Sequence, residues 1–252
     1  MIVAIPKFFF AKKFYRWTLV IAGLLLIVGF GYLGNRVTNP DFGSAFGSKA
    51  TKARAVLQQM DSSFALCAPL CDVSPQFMQA LVFPEVMRYN HLKDGIETES
   101  LRTLYVQFGE DYANFSIGLF QMKPSFAQTV ETKARQLLPD SIYQELQLAY
   151  TTTTEEDIRM ERVERMQDKD YQLVYLTAFV AICNQLYQHH AFANETEKLQ
   201  WYATVYNAGF DKPDSYIAAK IKQAQFYLQQ GMPGKKFRYA AVAEWYFGNV
   251  SR

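Results

Sequence analysis

A glutamate at the inner end of an apolar helical run is the first group in this chain equipped for chemistry. In Ser74-Pro-Gln-Phe-Met-Gln-Ala-Leu-Val-Phe-Pro-Glu85-Val-Met-Arg-Tyr89, Phe77, Met78, Leu81 and Val82 lead into a lone carboxylate with Arg88 just beyond it. Partial withdrawal from water raises a carboxyl pKa, so such a group holds a proton near neutral pH and can deliver it to a leaving group. The plainer reading is an exposed Glu85 paired with Arg88 on the same helix. A second stretch, Phe115-Ser116-Ile-Gly118-Leu-Phe-Gln121-Met-Lys-Pro124, offers Gly118 for a bend that lets backbone approach a ligand. Its Gln121 is a donor and acceptor for an amide or sugar hydroxyl, and Pro124 starts a helix. In the third, Trp201-Tyr-Ala-Thr-Val-Tyr206-Asn207-Ala-Gly209, Tyr206 is placed to hydrogen-bond a carboxylate across a groove and Asn207 to fix a sugar or a loop. Ordinary helix ends account for the second and third stretches equally well when each is taken alone.

The elements that must position these groups read as helices throughout. Ser74-Pro75 supplies an N-cap and a first-turn proline, while Pro84 is expected to kink the helix or loosen its last turn. Further helices are expected over 51–64, 101–108, 121–138, 142–150, 197–206, 216–230 and 240–247. The charged segment Glu155–Asp170 places acids ahead of bases at helical spacing and reads as a solvated face. Tyr171–His189 is apolar on most sides and reads as a central buried helix. No run of alternating strands and no internal repeat is visible, so the body is expected to be all-α.

Half of the 252 residues are hydrophobic, enough for one sizeable core. The net charge is +2, of which Lys7, Lys12, Lys13 and Arg16 carry +4, leaving −2 for the rest. A mildly acidic body argues against a nucleic-acid partner, which needs a clustered basic face. Trp17 to Asn35 holds no charged residue and has about the 20 residues a membrane-spanning helix needs. The basic residues before it place the N-terminus in the cytoplasm and the body across the membrane. A cleaved signal peptide is the rival, but its small-x-small site is missing where the run ends Gly-Tyr-Leu-Gly-Asn. The expected organisation is a basic tail at 1–16, a signal anchor at 17–34, a linker at 35–50 and a helical domain at 51–252. Cys67 and Cys71 are close enough to pair in an oxidising compartment, or to sit as two buried thiols. Cys183 reads as core packing. No Cys/His pair stands at ligand spacing, so neither metal nor cofactor is expected.

Together the three stretches resemble the soluble-lytic-transglycosylase family, which has a lysozyme-like helical fold. Pro75, Ala80 and Glu85 stand at the family's offsets, followed in order by Ser116-Ile-Gly118-Leu-Phe-Gln121-Met-Lys-Pro124 and Tyr206-Asn207-Ala208-Gly209. Lys236-Phe-Arg-Tyr239 resembles the closing segment, and the likeness covers about residues 65 to 248. It departs at Val86, where the family has Ser, and in a long insert from Asn90 to Asn114 that holds a literal Glu99-Ser100. Glu85 is preferred to Glu99 because only Glu85 has the preceding apolar helix. The resemblance implies non-hydrolytic cleavage of peptidoglycan strands outside the cytoplasmic (inner) membrane. Glu85 would be acid and then base, Tyr206 would orient it, and Ser116, Gln121 and Asn207 would hold the sugar. A wall-binding scaffold of an envelope machine without catalysis is the main alternative, and a helical membrane adaptor a third.

Overall fold

The computed structural model describes residues 42–89, 101–227 and 236–250. The expected tail and anchor, together with Glu99, lie outside the described residues. Among the described residues no helix is long and apolar enough to cross a membrane. The chain divides into two units, Met1–Gly47 and Ser48–Arg252, and the second holds the candidate site. The described end of the expected linker is helical, since α1 spans Phe42–Gln58. Gly47 breaks that helix with φ 46° and ψ −130°, a left-handed geometry that glycine adopts without a Cβ clash.

The second unit is built from helices. After α2 (Asp61–Cys67) and a 3₁₀ turn at Ala68–Cys71 comes α3 (Pro75–Arg88). The helical residues 101–108 form α4, followed by α5 (Pro124–Leu137), α6 (Asp140–Leu146) and α7 (Glu155–Gln167). Then come α8 (Lys169–Leu186), α9 (Glu195–Ala208), α10 (Asp214–Ile221) and α11 (Tyr239–Val250). Helix α8 is the expected central helix, with Leu173, Leu176, Phe179, Val180 and Ile182 all buried. It starts earlier than its apolar pattern, because the Asp168 carboxylate accepts from the backbone N–H groups of Asp170 and Tyr171 and so divides α7 from α8.

Helix α3 packs against α9 and α11. The Ser74 hydroxyl accepts from Phe77 N–H at 3.1 Å and starts it. Contrary to expectation its last turn is intact: the helix runs through Pro84, and Tyr89 N–H still reaches the Glu85 carbonyl at 2.8 Å. A mid-helix proline costs about 3 kcal/mol, which burial of every residue from Phe77 to Met87 offsets. Buried polar ties fix its register: the Tyr239 hydroxyl donates to Leu81 O at 3.0 Å, and the Tyr246 hydroxyl to Gln79 Oε1 at 3.1 Å.

Two further expectations need correction. The helix expected over 216–230 ends at Ile221, and Phe226–Tyr227 pairs antiparallel with Lys236–Phe237 as β1 and β2. Tertiary contact outweighs helix propensity there: buried Phe226 sits edge-on against Tyr239 at 5.1 Å, with the Arg88 guanidinium 5.3 Å from its ring. Helix α7 is not simply solvated either. Arg162 and Arg165 point inward; Arg162 forks onto both Glu131 carboxylate oxygens and donates to the Tyr105 hydroxyl at 2.7 Å. Glu131 also accepts from Tyr150 and Tyr175 hydroxyls at 2.5 and 2.7 Å.

Candidate active site

Glu85 occupies the last turn of α3 and is only 4% exposed, yet it reaches the wall of a groove of about 820 Å³. Arg88, one turn on, forms a 2.6 Å ion pair with its Oε2. The plain reading of the sequence is therefore met in part: the pair exists, but it is sunk at the groove rather than displayed on a surface. The guanidinium favours the carboxylate form and the apolar packing opposes it, so Glu85 stands between two opposed influences. Arg88 is the more exposed partner, at 20% of its side chain, and it too lines the groove.

The loop after α4 brings the second stretch to the same groove. Ile117 and Met122 form an isolated antiparallel bridge, with Ile117 N–H to Met122 O at 2.7 Å and the reverse bond at 3.1 Å. Both corners of this tight turn are left-handed, Gly118 with φ 71° and Gln121 with φ 52°. Helices α8 and α9 clamp it from opposite chemistry: Gln172 Oε1 accepts from Phe120 N–H at 2.7 Å, and the Tyr206 hydroxyl donates to Phe120 O at 2.8 Å. Asn114 Oδ1 accepts from Ser125 Oγ at 3.0 Å, which ties the loop to the start of α5.

Of the residues singled out from sequence, Glu85, Ser116, Gln121, Tyr206 and Asn207 all line the groove. Ser116 is half-buried and Asn207 exposed. Gln121 is buried, and its Nε2 donates to Gly118 O at 3.0 Å. Gly118 does not line the groove. A Cβ there would lie 2.1 Å from Gln172 Nε2 and 2.5 Å from Met166 O, so its close neighbour is the protein's own core rather than a ligand. Tyr206 also differs from expectation, because its hydroxyl serves the Phe120 carbonyl. Burial first, and the Glu85 carboxylate second, push the Tyr206 and Tyr239 phenols well above the ordinary tyrosine range. Both therefore stay protonated donors, and neither competes with Glu85 as the acid.

Sequence reading missed much of the remaining wall. Phe126 and Phe210 face each other as near-parallel rings 6.2 Å apart, with Lys133 Nζ 5.8 Å from the Phe210 ring. Phe126 follows the Pro124 helix start by two positions and Phe210 follows Gly209, so each adjoins a stretch already noted without belonging to its pattern. Gln128, Thr129, Thr132 and Gln136 add uncharged amides and hydroxyls along α5, while exposed Glu110 and Asp211 add carboxylates at the wall. Amides and hydroxyls beside aromatic rings, with charges of both signs at the wall, suit a polyhydroxylated, amide-bearing ligand. The three cysteines are free, Cys71 and Cys183 buried and Cys67 partly so; burial pushes the Cys71 thiol up to about 12. No family model, curated protein or solved structure matches this chain.

Proposed function

We propose that the chain is a membrane-anchored lytic transglycosylase of bacterial peptidoglycan, with a lysozyme-like domain on the periplasmic side and Glu85 as its acid and base. The observation that carries this reading is a single buried carboxylate, Glu85, opening onto a groove otherwise dominated by hydroxyls and amides. Glycosidases usually need two carboxylates, but substrate-assisted cleavage does not. Glu85 gives its proton to the glycosidic oxygen between MurNAc and GlcNAc as the C1–O bond breaks, and the N-acetyl group supports the positive charge. The resulting Glu85 carboxylate then takes the proton from the C6 hydroxyl of the same MurNAc. Its oxygen closes on C1, giving a 1,6-anhydro end with no water consumed. Ser116, Gln121 and Asn207 hold the sugar, and Tyr206 holds the Gln121 loop. When a strand enters, Arg88 exchanges the Glu85 carboxyl for substrate oxygens, and the carboxyl so released from its ion pair takes up from solvent the proton that it then donates. No cofactor or metal takes part in this step.

Purified peptidoglycan incubated with the protein should release anhydro-muropeptides, detectable by mass spectrometry. Reducing ends instead would assign the groove to hydrolysis, with Glu110 or Asp211 as second carboxylate. The second reading is a wall-binding scaffold without catalysis, favoured by Val86 in place of the family's Ser and by the Glu85–Arg88 ion pair. Strand binding with no product of either kind would select it.

A further inference from the structure

We propose that His189, His190 and Asp214 form a binding site for one divalent cation of the zinc class. Helix α8 ends at Leu186, and the His190 N–H folds back onto Tyr187 O at 2.9 Å. That turn lets two consecutive imidazoles face Asp214, in the first turn of α10. His189 Nε2 lies 3.3 Å from Asp214 Oδ2, and His190 Nε2 lies 3.2 Å from the same oxygen. One potential ligand atom from each of the three residues lies within 4.8 Å of the others.

The geometry suits a metal as well as an ion pair. Zinc binds imidazole nitrogen and carboxylate oxygen at about 2.0–2.1 Å in a tetrahedron, whose ligand-to-ligand edge is then about 3.3 Å. Both nitrogen–oxygen distances already match that edge. The His190 ring is held from behind, parallel to Phe192 at 5.2 Å and 4.2 Å from Trp201, so its orientation is set before any cation arrives. The Asp214 side chain is 47% exposed and that of His189 62%, which leaves the approach open and a fourth position for water. An exposed ion pair alone is worth about 0–1 kcal/mol and gives no reason for two imidazoles to converge on one oxygen. Sequence spacing does not reveal the site because Asp214 comes from beyond α9. A cation there staples the turn after α8 to the start of α10, just past groove residues Phe210 and Asp211.

The test uses the full chain in mild detergent, free of any histidine tag and stripped with EDTA, titrated with Zn²⁺ alone by calorimetry. One Zn²⁺ should bind per chain and raise the unfolding temperature. His190→Ala and Asp214→Asn should each weaken binding by more than the roughly 10–100-fold that loss of a mere supporting partner costs. Cys67→Ser, which removes the more accessible thiol, should bind as wild type does. Because His190 packs against Trp201, His189→Ala decides the matter should His190→Ala misfold. Absence of stoichiometric binding, wild-type affinity in the ligand variants, or loss of binding in Cys67→Ser would each overturn the site. None of these outcomes bears on glycan cleavage, since the proposal does not rest on it.

Discussion

Arg88 and the apolar packing set opposite demands on the Glu85 carboxylate, and two substitutions test its role. Glu85→Gln keeps volume and hydrogen-bonding capacity but has no proton to give at neutral pH. General acid–base help is typically about 10²–10⁴-fold, so anhydro-product turnover should fall by that factor. Binding of the strand should change little, as expected of a group acting mainly in the transition state. Equal turnover in wild type and variant would remove Glu85 from the chemistry. Arg88→Gln acts in the other direction. Taking away the guanidinium 2.6 Å from Oε2 removes what favours the carboxylate, so Glu85 keeps its proton to higher pH. The alkaline limb of the pH–turnover profile should move to higher pH. Stability should also drop, by less than the roughly 3–5 kcal/mol of a fully buried pair, because Arg88 retains some water contact. A purely structural arginine would lower stability and leave the profile where it was.

At the scale of the element, the loop between α4 and α5 shows what a sequence can and cannot disclose. The Ser74 cap was legible, since it accepts from a backbone N–H three residues on, a local rule written in residue type and spacing; Thr154 and Asn194 obey the same rule without having been singled out. The turn at Gly118 was legible as a turn, but its reason was not. That reason is Gln172 on α8, 1% exposed and distant in sequence, which pushes against the glycine and holds the Phe120 amide. The β1–β2 pair and the inward Arg162 escaped for the same cause, since each depends on a partner that no local pattern announces. Gly118→Ala tests the clamp. It forces a Cβ to 2.1 Å from Gln172 Nε2 at φ 71°, which combines left-handed strain with overpacking. A loss of about 2–4 kcal/mol is expected in urea unfolding. Turnover should fall as well, because Gln121 and the Tyr206 acceptor ride on the same turn. A neutral effect on both would mean that Gln172 swings aside and that the turn is not clamped.

Across the whole molecule, the core is unusually phenolic, and that makes its stability sensitive to alkali. Tyr105, Tyr150, Tyr175, Tyr187, Tyr202, Tyr206, Tyr239 and Tyr246 are all raised above the ordinary tyrosine value, in every case first by burial. Tyr187 and Tyr246 are pushed up to about 12. Three of the eight belong to the Glu131–Arg162 cluster, where Tyr150 and Tyr175 donate to a carboxylate that a phenolate could not approach. Two more, Tyr206 and Tyr239, donate to backbone carbonyls beside Glu85. For a tyrosine whose folded pKa is raised, the folded state binds more protons than the unfolded chain once the pH passes the unfolded value of about 10. The stabilisation is therefore complete below about pH 10 and is lost as the pH climbs toward the folded values. Each such phenol removes up to about 1.4 kcal/mol per pH unit in that window, and several act together against a total stability of about 5–15 kcal/mol. Urea midpoints should hold level from about pH 8 to 9.5 and fall steeply between about 10 and 11.5. Tyr175→Phe removes one ionisable phenol and should reduce the slope of that fall, while lowering the plateau by about 1–3 kcal/mol through the lost bond to Glu131. A midpoint that stays flat through pH 11 would show that the phenols ionise without disturbing the fold, and would refute the claim that burial holds them neutral.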